Sequence, residues 1–332
     1  MNLDIPAEVR RAEPLIRPYI LHTPLLPSAV LGEAAGTPVW AKLENRQHTG
    51  SFKLRGALSA LLSLDPAERA MGVVAASSGN HGAAVAYGAR LLGVPALIFV
   101  PTDAAAAKIG KIEGYGAQVR RHGGDSLLSE VAARAHAAAH GLAYLSPYND
   151  PQVIGGQGTI GLELLRDLPD IDAVYVAVGG GGLIAGIAAA LKHANPAIQV
   201  VGCSPERSAA MIASVAAGRI VEVAHAPTVS DGTAGGIEPD AITFPACRDL
   251  VDRYLALPEA EIIAAMRLFM GDTRAPVPGE PIEGAAGVAI AGLLRESDLL
   301  RGSRVAVVIC GGNIDPALAA SIRDGSPTSR TP

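Results

Sequence analysis

The chain has 332 residues, 49% hydrophobic and 18% charged, with a formal net charge of -5. That length buries a sizeable core in one large domain or two modest ones, and that composition excludes a disordered chain. The acidic balance, with basic residues scattered, argues against a nucleic-acid partner, and no uninterrupted apolar run reaches membrane-spanning length. Cys203, Cys247 and Cys310 form no C-x-x-C pair, which reads as a reduced, cytoplasmic protein. The first 17 residues carry Asp, Glu and Arg without a continuous apolar stretch, unlike a signal peptide.

In chain order, residues 39–43 read as a strand, as do 72–76, which lead through a Gly-Asn-His-Gly turn into a helix ending at Leu92. A strand at 96–100, a helix over 108–113, a strand at 117–121 and a helix over 126–140 follow. Then come a helix near 159–165, a strand at 173–178, a helix after Gly182, and strands at 198–203 and 304–310. This alternation predicts an α/β fold with parallel sheets flanked by helices. Residues 224–245 break the rhythm with Pro227, Gly232, Gly235, Gly236 and Pro239, and a long irregular stretch in a compact domain is more often functional than accidental. Residues 324–332, rich in Ser, Thr and Pro, read as a frayed end.

Three segments carry chemistry. Thr49-Gly50-Ser51-Phe52-Lys53 sets a lysine among small and apolar residues, where desolvation lowers its pKa and makes the amine nucleophilic. Ser77-Ser78-Gly79-Asn80-His81 follows a strand and opens a helix, so its hydroxyls, amide and free N–H groups suit a carboxylate. Gly179-Gly180-Gly181-Gly182-Leu183 follows another strand; four glycines are more than a turn needs, and at a helix N-terminus they can cradle a phosphate. No G-x-G-x-x-G with a following acidic residue points to a dinucleotide.

These segments, with "HTPLLPS" from His22, "GQGTIGLELL" from Gly156, "VGGGGLIAG" from Val178 and "CGGN" from Cys310, resemble the threonine/serine dehydratase and serine racemase family, pyridoxal 5′-phosphate (PLP) enzymes of the tryptophan-synthase β-like fold type II. The resemblance runs over roughly residues 20–315. It implies two domains, a large cofactor-binding one (1–71 and 144–332) and a small mobile one (72–143), with PLP in the cleft between them. It implies that Lys53 holds PLP as a Schiff base and shuttles the proton. Phe52 would lie against the ring, Asn80 would bond the ring hydroxyl, Gly179 to Leu183 would hold the phosphate, and Cys310 would face the pyridine nitrogen. Ser77, Ser78, Gly79, Asn80 and His81 would grip the carboxylate of a small-molecule amino-acid substrate. The expected reaction is dehydration and deamination of a small β-hydroxy amino acid, threonine or serine by default and hydroxyaspartate as an alternative. Ser78, at the position of the second acid/base in racemases, permits serine racemase activity. A non-catalytic ligand-binding protein is the reading from another class, and the intact lysine, asparagine and glycine turn speak against it.

Two positions bear on the chemistry. A Cys310 thiol is a near-neutral partner, so the pyridine nitrogen would stay largely unprotonated and the ring a weaker electron sink. The positions aligned to the cation-binding carboxylates of many relatives are Ser204 and Ala210, with Glu206 displaced, so no divalent metal site is expected. The resemblance also implies a homodimer, and no end-product control through an added regulatory domain.

Overall fold

The computed structural model describes residues 3–274 and 277–326. The chain begins with α1 (Ile5–Ile16), β1 (Leu25–Pro27), α2 (Ala29–Ala35), β2 (Val39–Leu43), α3 (Lys53–Ser63) and α4 (Pro66–Met71). The middle alternates strictly: β3 (Val73–Ala76), α5 (Asn80–Leu92), β4 (Ala96–Val100), α6 (Ala106–Gly114), β5 (Gln118–Arg121), α7 (Ser126–His140) and β6 (Ala143–Tyr144). Then follow α8 (Pro151–Asp167), β7 (Ala173–Ala177), α9 (Gly182–Ala194), β8 (Gln199–Pro205), α10 (Ala210–Ala217), α11 (Thr243–Leu250) and β9 (Arg253–Leu257). The chain closes with α12 (Glu259–Met270), α13 (Gly284–Arg295), β10 (Val305–Ile309) and α14 (Pro316–Asp324).

Two sheets result. One has the order β1-β2-β10-β7-β8-β9 and is parallel except for the β1/β2 pair. The other, β5-β4-β3-β6, is parallel throughout. Helices cover the strands, so the inner strands are buried on both faces and read as continuous apolar runs; every residue of β7 and β10 is buried. These runs are why the strands were predictable to within about two residues at each end. The exceptions are β1, the two-residue β6 and β9, whose sequences carry little strand signal.

The helix expected near 159–165 starts eight residues earlier, at Pro151, where the Asp150 side chain accepts from Val153 N–H at 2.9 Å. Its first half is glycine-rich for packing: a Cβ at Gly156 would come 2.5 Å from the Arg55 carbonyl oxygen, because α8 meets α3 backbone to backbone. The irregular stretch is present, although its last residues, Thr243 onward, start α11. The Ser/Thr/Pro-rich end lies from residue 327 on outside the described residues; residues before it belong to α14 and its Gly325 cap.

The core beside the smaller sheet takes Leu54, Leu58 and Leu61 from α3, with Ile16, alongside Val73, Ala75 and Ile98. The start of α3 is tied to the larger sheet, since Phe52 N–H donates to the Cys310 carbonyl just beyond β10 at 3.0 Å. Lys53 is therefore set at the seam of the two sheets.

Candidate active site

A cavity of about 450 Å³ opens along that seam, at the carboxyl ends of β3, β7 and β10. This is where ligands bind in parallel α/β sheets. All the site residues singled out from the sequence line it: Phe52, Lys53, residues 77–81, residues 179–183 and Cys310.

Lys53 is the first residue of α3. Its Nζ donates to the Pro147 carbonyl at 2.8 Å and lies 5.1 Å from the centre of the Phe52 ring. Burial pushes its pKa down to about 8, against the opposing pull of Cys310 and Glu283. About a tenth of such an amine is neutral near pH 7, far more than for a solvated lysine, which favours its use as a nucleophile or base.

The glycine turn joins β7 to α9. Gly181 has φ +87°, in the left-handed region, and a Cβ there would lie 2.7 Å from Cys247 Sγ. A Cβ on Gly180 would overlap the Tyr148 ring at 2.6 Å, so Tyr148 packs flat against bare backbone. The first N–H groups of α9 have no intrahelical carbonyl partner, and Gly179 to Leu183 line the cavity. A buried low-pKa amine and a glycine cradle share one cleft, the donor set that a phosphorylated aldehyde requires, so the residues fit PLP.

Asn80 begins α5. Its Nδ2 donates to both carboxylate oxygens of Glu283, at 2.9 Å each, and its Oδ1 accepts from Asn313 Nδ2 at 2.6 Å. Glu283 was missed from the sequence, where a Glu before a Gly-Ala-rich helix reads as an ordinary helix start. It is buried, and burial raises its pKa to about 7, partly offset by the Asn80 hydrogen bond. Cys310 Sγ lies 3.9 Å from Glu283, and burial raises the thiol well above its usual pKa, keeping it protonated. His81 is buried in the cavity wall, and its Nε2 donates to the Leu145 carbonyl at 2.9 Å. Burial, with the nearby Lys53 charge, lowers its pKa to about 3 and leaves the ring neutral.

The irregular stretch supplies the far wall, with Asp231 to Gly236 in the lining. Arg134 on α7 reaches Glu238 at 2.8 Å and Lys108 on α6 reaches Asp231 at 3.1 Å, so two ion pairs link the smaller-sheet helices to this wall. Ser204 Oγ donates to the Val178 carbonyl at 2.8 Å, and the described residues contain no cluster of three His, Cys, Asp or Glu side chains suited to a metal.

Residues 16–311 match the family described as pyridoxal-phosphate dependent enzyme. An L-threonine ammonia-lyase from Thermotoga maritima is 41% identical over 308 residues, covering 93% of this chain and 75% of that one. An L-threo-3-hydroxyaspartate ammonia-lyase from Saccharomyces cerevisiae is 36% identical over 318 residues, 96% of each. The structure of maize serine racemase superposes with a TM-score of 0.87 at 32% identity, covering 96% of this chain and 97% of that one. The chain belongs to the pyridoxal-phosphate dependent enzyme family, and its cofactor is PLP. No helix among the described residues is long and apolar enough to cross a membrane.

Proposed function

We propose that this enzyme dehydrates and deaminates a small β-hydroxy amino acid to a 2-oxo acid and ammonia, with Lys53 as covalent anchor of PLP and as the base. The observation that carries this reading is the half-buried, desolvated Lys53, its amine held by a carbonyl and paired with no carboxylate among the described residues, in the same cleft as the glycine turn. The related threonine, hydroxyaspartate and serine enzymes act on substrates of this class by their names.

PLP, when bound, supplies an electron sink conjugated to the substrate Cα. Around it the chain's residues divide the work. Backbone N–H groups of Gly179, Gly180, Gly181, Gly182 and Leu183 would hold the phosphate. Phe52 would pack on the ring, and Asn80, whose Nδ2 donates to Glu283, would face the ring oxygen. Cys310, a neutral thiol, would face the pyridine nitrogen without delivering a full proton. Ser77, Ser78, Gly79, Asn80 and His81 bind the substrate carboxylate, the last through its backbone N–H, since its ring is engaged with Leu145. Lys53 Nζ would serve as the base that takes the Cα proton and as the acid that returns a proton to the departing hydroxyl. The cleft wall of residues 231–236 and a closing small domain, residues 72–143, exclude water during these steps.

A racemase activity is a second reading, supported by the hydroxyl of Ser78 in the cavity lining with Lys53. The three cysteines are free and buried, which supports a cytoplasmic location, and a homodimer is the assembly the family resemblance favours. A panel of β-hydroxy amino acids, read for ammonia, 2-oxo acid and D-amino acid, tests the proposal. Ammonia and 2-oxo acid from threonine, serine or hydroxyaspartate are expected. No turnover of any of them by the PLP-loaded enzyme would overturn it.

A further inference from the structure

We propose that Lys111 and Glu283 are positioning residues that lock the side-chain amide of Asn80 in one orientation, through a line of hydrogen bonds crossing the cleft. The inference rests on the reading of Asn80 as the residue facing PLP. The line runs in one direction. Lys111 Nζ donates to Asn313 Oδ1 at 2.6 Å, Asn313 Nδ2 donates to Asn80 Oδ1 at 2.6 Å, and Asn80 Nδ2 donates to the Glu283 carboxylate at 2.9 Å.

An amide can turn over, exchanging donor for acceptor, and nothing in Asn80 itself fixes which way it faces. The ends of the line decide. An ammonium only donates, and above the Glu283 pKa of about 7 the ionised carboxylate only accepts. Between them, each amide must present oxygen toward Lys111 and nitrogen toward Glu283. Turning either one would set donor against donor at one contact and oxygen against oxygen at another, inside a partly desolvated cleft where such mismatches cost most. Asn313 has a second tether in the same sense, donating to the Thr49 carbonyl at 3.0 Å, and Lys111 also donates to that carbonyl at 3.1 Å.

The line also joins the two halves of the molecule. Lys111 lies on α6 and Asn80 on α5, beside the smaller sheet, while Asn313 follows β10 and Glu283 precedes α13, beside the larger one. Each of the three links therefore spans the seam, and the line is complete only when the halves are together. Close approach is built in: a Cβ on Gly311 would lie 2.6 Å from the Glu283 carboxyl carbon. Glu283 and Lys111 also feel each other electrostatically, the carboxylate opposing the lowering of the lysine pKa by burial. The other ionisable groups around Glu283 are Lys53, Cys310 and Asp231.

The test uses the full chain with PLP and the variants Lys111→Met, Lys111→Arg, Glu283→Gln and the pair Lys111→Met/Glu283→Gln. Loss of a charged hydrogen-bond partner at the head of the line should weaken PLP binding by about tenfold in Lys111→Met. Removal of the positive charge should also move the acid limb of the kcat/KM profile upward by about half a pH unit, because Glu283 becomes easier to protonate. Lys111→Arg, still a donor-only cation, should recover most of both effects. The pair should lose no more than the worse single variant, since either break frees the same amide. Should Lys111→Met not fold, Asn313→Asp keeps the volume while removing the donor to Asn80, and the same weakening is expected.

PLP affinity within twofold of the parent and an unmoved profile, in a variant that melts at the parent temperature, would overturn the inference. So would fully additive losses in the pair. A parent chain that takes up no PLP would instead overturn the reading of the site on which the inference rests.

Discussion

Two sets of buried charges sit two residues apart on one helix and behave in opposite ways. Arg55, two residues beyond Lys53 and so on nearly the opposite face of α3, makes paired hydrogen bonds to Glu44 and to Glu163, all four at 2.8 Å. Lys42 joins the set with a 2.5 Å bond to Glu163 and the part-exposed Arg17 reaches the same carboxylate at 2.8 Å, so three cations face two buried carboxylates. Burial alone would raise the Glu163 carboxyl, but Arg55 and Lys42 hold it down at about 2. Glu283 is buried and Lys53 half-buried, neither has a direct ionic partner among the described residues, and there desolvation wins: the amine falls to about 8 and the carboxyl rises to about 7. Burial therefore does not by itself make a reactive group; pairing decides whether a buried charge is structural cement or a poised acid or base.

The strongest way to break this comparison is at Lys53. Lys53→Ala should lower turnover by at least about 10³-fold, removing anchor and base together, with the cofactor's lysine-bound absorbance lost as well. Turnover near the parent rate would end the contrast. Stability should show the reverse ranking. Arg55→Met strands Glu44 in the interior and leaves Glu163 one cation short, and should cost about 3–5 kcal/mol in urea unfolding, whereas Lys53→Met removes an ill-solvated amine and should be neutral or stabilising.

How much of this was legible beforehand follows from how each feature is written in the chain. Lys53, the Ser77–His81 turn and the four glycines are contiguous runs placed at strand ends, and strand ends are where apolar runs stop, so both chemistry and location could be read. Glu283 and Lys111 each stand alone. One precedes a helix and the other sits inside one, positions where charged residues are ordinarily solvated, and only folding brings both to Asn80 and Asn313. Arg55 was equally hidden, since nothing near it in sequence announces Glu163, 108 residues away. The parallel sheets were readable because their inner strands are apolar on both faces, while α8 was shortened by glycines whose purpose is contact with α3.

Titration sharpens the comparison. Glu163 has its folded pKa below its unfolded value, so its contribution is fully present above about pH 4.5 and is lost as pH falls toward about 2. Glu283 has its folded pKa above its unfolded value, so the folded state holds the extra proton and stability declines as pH rises from about 4.5 through about 7. Urea midpoints across pH 4–8 should thus decline for the parent and flatten in Glu283→Gln, an effect on the order of 3 kcal/mol at most. A slope unchanged by that substitution would show that Glu283 does not carry the proton.

The smallest effect belongs to the cleft rim. Lys108 and Asp231 form an ion pair with both side chains largely solvated, at 44% and 53% exposure. Lys108→Met should change stability by less than about 1 kcal/mol, an effect that shrinks further with added salt. A loss as large as that of Arg55→Met would erase the distinction between buried and exposed pairing.

The central claim is that the amine at position 53 meets the PLP aldehyde. Borohydride reduction of the PLP-loaded enzyme followed by peptide mapping tests it most directly. The account predicts a stable pyridoxyl label on Lys53. A label on Lys108, Lys111 or another lysine, with Lys53 unmodified, would contradict it.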